Sequence, residues 1–281
     1  MALRAEQGPG WQIAVPAHRP AYDGVELVGY HDRAGQGLDM RVLPEPGVTI
    51  VVLLDGEMRV DQARPVTVGI ASGIGVNSAQ VSGRDLACVD IHLSPPAAHS
   101  ILDGAIADLA GTVVSFEDLW GADAHRLRAA LAAADQWDAR FEVLKAALAE
   151  KLHANRSVDR EVAFVWRELV AGGGRRRISD LADEAGWSRK RLWARFTAQI
   201  GVTPKRASMI VRLSPAIDAI MAGTAPADVA ARFGYADQSH LTRDLKELSG
   251  YTPASLYRDW RGADFTGADV DGGTIVQDAD G

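Results

Sequence analysis

Over the first hundred positions the apolar residues fall in short blocks of four to eight, punctuated by Gly, Pro and Asp, whereas further along they recur every three or four residues. The first pattern is that of strands, the second that of helices with one buried face. Strands are predicted at Val25–Tyr30, Val48–Leu54, Met58–Val60, Val66–Ile70 and Leu86–Leu93. Asp55-Gly56 lies between the second and third of these, and Asp and Gly tolerate the positive φ values of a type I′ turn, so a hairpin is predicted there. Ser94-Pro95-Pro96 predicts a helix start, with Ser as N-cap and Pro in the first turn, where a missing N–H costs nothing. Helices are predicted over Ala122–Ala134, Arg140–His153, with Phe141, Leu144, Leu148 and Leu152 on one face, and Val158–Ala171, which Gly172-Gly173-Gly174 ends.

Laid over itself at an offset of 48 to 49 residues, the C-terminal part repeats. Leu181-Ala182, Gly186-Trp187, Leu192, Phe196 and Gly201-Val202-Thr203-Pro204 fall on Val229-Ala230, Gly234-Tyr235, Leu241, Leu245 and Gly250-Tyr251-Thr252-Pro253. Each copy has the logic of a helix-turn-helix. A small Ala lets two helices approach, a glycine four residues on ends the first in a left-handed conformation, and an aromatic fills the wedge between them. Ser188 and Asp237 are placed to cap the second helices, and Leu192 with Phe196, like Leu241 with Leu245, forms a buried stripe. The residues between must face outward: Arg189, Lys190, Trp193 and Ala194 in the first unit, Gln238, Ser239, Thr242 and Arg243 in the second. Such a helix fits the major groove of double-stranded DNA, where Gln suits an adenine edge and Arg the O6 and N7 of guanine.

Charge fits this placement better than the net value of −7 suggests. Ser157–Arg261 carries 17 basic and 12 acidic residues, a local +5, while Met1–Arg156 is at −7 and the segment after Arg261 at −5. A basic segment between acidic neighbours suits a nucleic-acid-binding domain attached to a regulatory one. Arg175, Arg176, Arg177, Lys205, Arg206 and Lys246 are the candidate phosphate contacts. The expected organisation is a β-rich regulatory or sensor domain with C-terminal helices over 1–156, a double helix-turn-helix domain over 157–261, and an acidic tail over 262–281 in which only Thr274-Ile275-Val276 has strand character.

At this point the residues resemble the AraC/XylS-type transcription regulators, whose DNA-binding domain holds two helix-turn-helix units joined by a linker helix. Asp228 to Arg243, followed by Gly250-Tyr251-Thr252-Pro253, follows the family signature nearly throughout. In the first unit Ala194 stands where that family usually has Arg, and Trp193 before it suits a thymine methyl or a sugar. The resemblance implies that both reading helices enter successive major grooves on one face of the duplex, about 34 Å apart. It also implies a linker helix from Pro204 toward Met221, within which Pro215 is expected to kink or break the chain near Ser214. In Leu93-Ser94-Pro95-Pro96 and Phe116-Glu117-Asp118-Leu119-Trp120 the N-terminal half is similar, more faintly, to the β-barrel sensor domain of such regulators. The expected fold class is therefore α+β: a barrel-like, cupin-like N-terminal domain with flanking helices, then an all-α domain of two helix-turn-helix units. The implied partners are double-stranded DNA, a small-molecule effector or second copy of the chain at the N-terminal domain, and RNA polymerase if the protein is an activator.

Other chemistries find little support in the residues. Cys88 is the single cysteine, set in the apolar run Leu86-Ala87-Cys88-Val89, which does not suit the reactive thiolate of a DNA-repair alkyltransferase. His18, His31, His92 and His99 form no His-x-His pair with a spaced carboxylate, as a metal-dependent cupin enzyme would need. No phosphate-binding glycine loop or nucleophile elbow occurs, so neither an enzyme nor a cofactor is implied. With no run of 18 to 20 apolar residues and no signal peptide at Met1-Ala2-Leu3-Arg4, the expected location is the cytoplasm, away from membranes.

Overall fold

The computed structural model describes residues 10–18, 22–75, 79–154 and 157–262; the acidic segment from 263 on, with Thr274–Val276, lies outside them. The N-terminal half is built on strands β1 (Trp11–Ala14), β2 (Val25–Asp32), β3 (Leu38–Val42), β4 (Val48–Val60), β5 (Gly69–Ser72), β6 (Ala79–Leu93) and β7 (Val113–Ser115). They pair antiparallel in the order β1-β2-β6-β4-β5-β7, with β3 added along the first half of β6. This is an open sheet, not the barrel-like, cupin-like domain expected from sequence. Closure would require the edges to pair with each other; here β1 and β7, four and three residues long, end the path on opposite sides.

Val48–Leu54 reads as an unbroken apolar run because β4 is buried on both faces. Ile50, Val52 and Leu54 turn to one layer with Val89, Ile91 and Leu93, while Val51 and Leu53 turn to the other with Tyr30 and Cys88. The Asp55-Gly56 hairpin is not formed. β4 runs straight through these residues and pairs with β6 from Val48↔Leu93 to Val60↔Val81, with register shifts at Leu53/Asp55 and Asp55/Glu57. Gly56 takes φ +79° as expected, but in a bulge: the same backbone conformation inserts an extra residue into a continuing strand.

Helices α1 (Pro95–Ile101), α2 (Ile106–Leu109), α3 (Phe116–Trp120), α4 (Ala122–Ala133) and α5 (Trp137–Ala154) follow the sheet. Ser94 caps α1, its side chain accepting from the N–H of Ala97 at 3.4 Å ahead of the two prolines. Phe116, Leu127, Leu131, Phe141, Leu144 and Leu148 pack this helical layer on the Ile50 face of the sheet. None of the described helices is long and apolar enough to cross a membrane.

The C-terminal part is a helical bundle of α6 (Arg160–Ala171), α7 (Ile178–Glu184), α8 (Arg189–Ile200), α9 (Pro204–Met221), α10 (Pro226–Arg232), α11 (Gln238–Ser249) and α12 (Pro253–Gly262). α9 continues without a break through Pro215, so the chain is not interrupted near Ser214. Pro215 is exposed while Leu213, Ser214, Ala216 and Ile217 around it are buried. Packing on the buried side holds the turn against the propensity of proline.

The two halves share buried surface. Ile74, in the loop after β5, is fully buried in the same apolar cluster as Phe196, Ile200, Val202 and Ile210 of the helical bundle. The loop is pinned from its own side by Gly73 N–H donating to Thr112 O at 3.1 Å and Gly111 N–H donating to Ile74 O at 3.1 Å. Nearby, Gly201 closes α8 at φ +90° so near to α2 that a Cβ there would lie 2.9 Å from Ile106 O. The Ile74→Ala variant should therefore lose about 3 kcal/mol in denaturant unfolding, the usual cost of a cavity at a well-packed aliphatic site. A loss below about 1 kcal/mol would mean that the loop collapses into the gap and that the side chain is not a structural tie.

Candidate nucleic-acid interface

The repeat seen in sequence is a repeat of backbone geometry. In the first unit α7 ends at Gly186, φ +70°, and the N–H of Trp187 donates back to Ala182 O at 2.9 Å; in the second α10 ends before Gly234, φ +76°, and Tyr235 N–H donates to Ala230 O at 2.9 Å. Ser188 then caps α8 by accepting from Arg191 N–H at 3.3 Å, and Asp237 caps α11 by accepting from His240 N–H at 2.7 Å. Leu192 with Phe196, and Leu241 with Leu245, are fully buried. The equivalence runs one helix further: Gly201 and Gly250 end α8 and α11 in left-handed conformations, and Thr203 and Thr252 accept from the N–H groups of Arg206 and Ser255 at 3.2 Å as Pro204 and Pro253 open α9 and α12. Each unit is thus two helices, a glycine turn, and a third helix started by Thr-Pro.

Residues 181–259 match the family model of the helix-turn-helix domain. The domain is similar to YbfI of Bacillus subtilis (strain 168), an uncharacterized HTH-type transcriptional regulator, at 37% identity over 64 residues, which is 23% of either chain. Among solved structures, ToxT from Vibrio cholerae O395 is 12% identical, with 90% of this chain and 99% of that one covered at a TM-score of 0.45. The C-terminal domain of AraT, a response regulator from Geobacillus stearothermophilus, is 15% identical, with 36% of this chain and 87% of that one covered at a TM-score of 0.34.

The helix-turn-helix domain brings together many of the side chains singled out from sequence. Arg189, Lys190, Trp193 and Ala194 are exposed and line one shallow depression on α8. A cleft of about 460 Å³ joins α8, the start of α9 and α11, bordered by Trp193, Lys205, Arg206 and Arg243 together with His240 and Glu247. Gln238 and Ser239 are exposed on the first turn of α11, whereas Thr242 is half-buried and its hydroxyl donates to Gln238 O at 2.9 Å. Lys246 is exposed one turn beyond Arg243. The arginine run disperses. Arg175 lies against Gly234, in the turn of the second unit, and Arg177 is exposed at the N-cap of α7. Arg176 is half-buried and paired with Glu184 and, at 2.7 Å, with Glu168, and these carboxylates raise its guanidinium pKa.

Sequence spacing did not disclose the groups that lock α8 and α11 in place. Arg212 of α9 donates to Asp244 of α11 at 3.0 Å, the two side chains being 15% and 9% exposed. The same guanidinium lies 4.5 Å from the centre of the Tyr235 ring, whose phenol burial pushes up to about 12, and His240 meets that ring edge-on at 5.2 Å. On the first unit Arg191 covers Trp187 in the same manner, at 4.4 Å. Arg195 of α8 donates to both oxygens of Asp159, at 2.7 and 2.9 Å, which holds that carboxyl below the usual carboxylate range. Charged residues on helices read as solvated faces, and nothing in the chain marks Arg212 and Asp244, 32 positions apart, as neighbours.

In the N-terminal half Cys88 is fully buried, and burial, then Asp90, pushes its thiol up, the reverse of an activated nucleophile. His31, His92 and His99 lie apart on β2, β6 and α1, and no group of three or more His, Cys, Asp or Glu able to hold a metal occurs among the described residues. Removing one partner of the Arg212–Asp244 pair should be costly, because it leaves a nearly buried charge uncompensated. Asp244→Ala should lower unfolding stability by about 3 kcal/mol, and adding Arg212→Met should recover most of it. If the double variant is no more stable than Asp244→Ala, the ion pair is not what joins α9 to α11.

Proposed function

We propose that this chain is a sequence-specific, DNA-binding transcription regulator of the AraC/XylS type, which reads double-stranded DNA with α8 and α11. One observation carries the reading: Trp193 of α8 and Arg243 of α11 border a common cleft with Lys205 and Arg206 between them, so the two reading faces open to the same side. A single duplex lying across that side meets both helices at once. Gln238 and Arg243 supply adenine- and guanine-reading chemistry, while Arg175, Arg177, Lys205, Arg206 and Lys246 supply sequence-independent affinity for phosphates. Arg176 is assigned to the fold instead, since it pairs with Glu168 and Glu184.

Residues 157–261 are proposed as the DNA-binding domain and 1–156 as the regulatory one. Because Ile74 and α2 pack against α8 and the residues after it, a small molecule or second chain bound to the N-terminal half acts on the first reading helix through direct contact. In this proposal the protein works in the cytoplasm and meets RNA polymerase if it activates.

Selection of bound sites from random duplex DNA, followed by band-shift titration, tests the assignment. The full chain should retain a defined site in preference to its scrambled version. Arg243→Ala should lower discrimination at one base step by about 1 to 3 kcal/mol. Lys205→Ala should instead weaken specific and scrambled duplexes alike and reduce the slope of log affinity against log salt by about 1. Equal affinity for selected and scrambled DNA would overturn the proposal.

A further inference from the structure

The two reading helices offer DNA different chemistry. On α11 the exposed residues Gln238 and Ser239 carry both donors and acceptors. On α8 the polar members of the exposed set, Arg189 and Lys190, are donors without acceptors, and the other two, Trp193 and Ala194, are apolar apart from the indole N–H. Trp193 is 44% exposed and is one of three large apolar side chains, with Val15 and Val170, that stand exposed among the described residues. Val15 and Val170 lie elsewhere; Trp193 lies at the junction of the shallow α8 depression and the cleft that leads to Arg243.

An apolar protein partner does not suit this place. Arg189, Lys190, Lys205, Arg206 and Arg243 surround the indole with positive charge, and of the two carboxylates on the cleft, Asp244 is taken by Arg212, leaving Glu247. Such a rim suits a polyanion. On the major-groove edges of the four bases the groups are hydrogen-bond donors and acceptors, with a single apolar exception, the C5-methyl of thymine. An exposed Trp beside an Ala, on the outward face of a helix aimed into that groove, has one kind of apolar atom to meet there.

Resting on the DNA-reading assignment above, we propose that the first unit selects a thymine through its 5-methyl group, packed against Trp193 over the space left by the short Ala194 side chain. Arg189 and Lys190, four and three residues before Trp193, share its helical face and fix the register through guanine or phosphate contacts. The protein then reads an asymmetric site, one half by shape and methyl contact and the other by hydrogen bonds.

The test uses the full chain and the site recovered by selection from random DNA. Each thymidine is replaced in turn by deoxyuridine, which deletes one methyl group and leaves base pairing intact. At one or two positions in one half of the site, affinity should fall about fourfold, the worth of one buried methyl-sized group. Trp193→Ala should bind the parent site more weakly and lose that sensitivity, while Arg243→Ala should keep it. If no deoxyuridine weakens binding, or if Trp193→Ala remains as sensitive as the parent protein, the methyl contact is overturned while DNA reading stands. If no site is retained over scrambled DNA, the DNA-reading assignment itself fails.

Discussion

The arrangement of α8 and α11 depends on the burial of α9 around most of its circumference. Ala207, Ile210, Val211, Leu213, Ala216, Ile217 and Ile220 all lie in the core, and the helix touches α6, α8, α10, α11 and α12. A helix-turn-helix of some twenty residues buries too little surface to hold its own shape. Two such units become stable by sharing one long helix, and that helix then fixes their relation. Its first turn supplies Lys205 and Arg206 to the cleft between α8 and α11, and its middle supplies Arg212, which reaches Asp244 on α11. Pro215 is tolerated there because it lies on the exposed face, away from the packing that holds the rod together.

The same economy of contacts ties the N-terminal half to α8. α8 exposes its first turns and buries its end, where Gln199 and Ile200 are enclosed and Gly201 lies against α2. Gln199 also accepts from the backbone of Asp159 at 2.8 Å, and Asp159 in turn holds Arg195, so the start of α6 grips α8 from another side. Ile74, from the loop that follows β5, is sealed into the helical core beside Ile200 at the closed end of α8. Interiors packed to this density pass on displacement instead of absorbing it. On the side of α11, Arg41 lies 5.5 Å from the centre of the Tyr251 ring that follows the helix.

How much of this was legible in the sequence follows from which constraints leave a signature at fixed spacing. Gly186-Trp187 and Gly234-Tyr235 could be read because a tight turn demands glycine and a wedge demands an aromatic, and both copies recur in register. Asp55-Gly56 was misread because positive φ at Gly56 serves a bulge in β4 as well as a hairpin, and only pairing with β6 distinguishes them. The barrel-like expectation failed for a related reason. Alternating strands state which residues turn inward, but whether the last strand returns to the first is a property of edges, and β1, β3 and β7 are too short to register as blocks. The break expected at Pro215 gave way to tertiary packing, and the Arg212–Asp244 pair left no trace because the partners come from helices brought together only by the fold.

Internal pairing also changes what the charge of the helical part means. The formal +5 of Ser157–Arg261 is an unremarkable density for a solvated surface. But Asp159, Glu168, Glu184 and Asp244 are directed to Arg195, Arg176 and Arg212, four carboxylates to three guanidiniums. What these pairs leave for solvent is therefore one charge more positive than the formal count. The cations around the cleft and the α8 depression, Arg189, Lys190, Lys205, Arg206 and Arg243, lie outside those pairs. Charge that binds the helices to one another lies between elements, and cations outnumber the carboxylates around the cleft that α8 and α11 share. A chain with a net charge of −7 can in this way present a locally cationic surface.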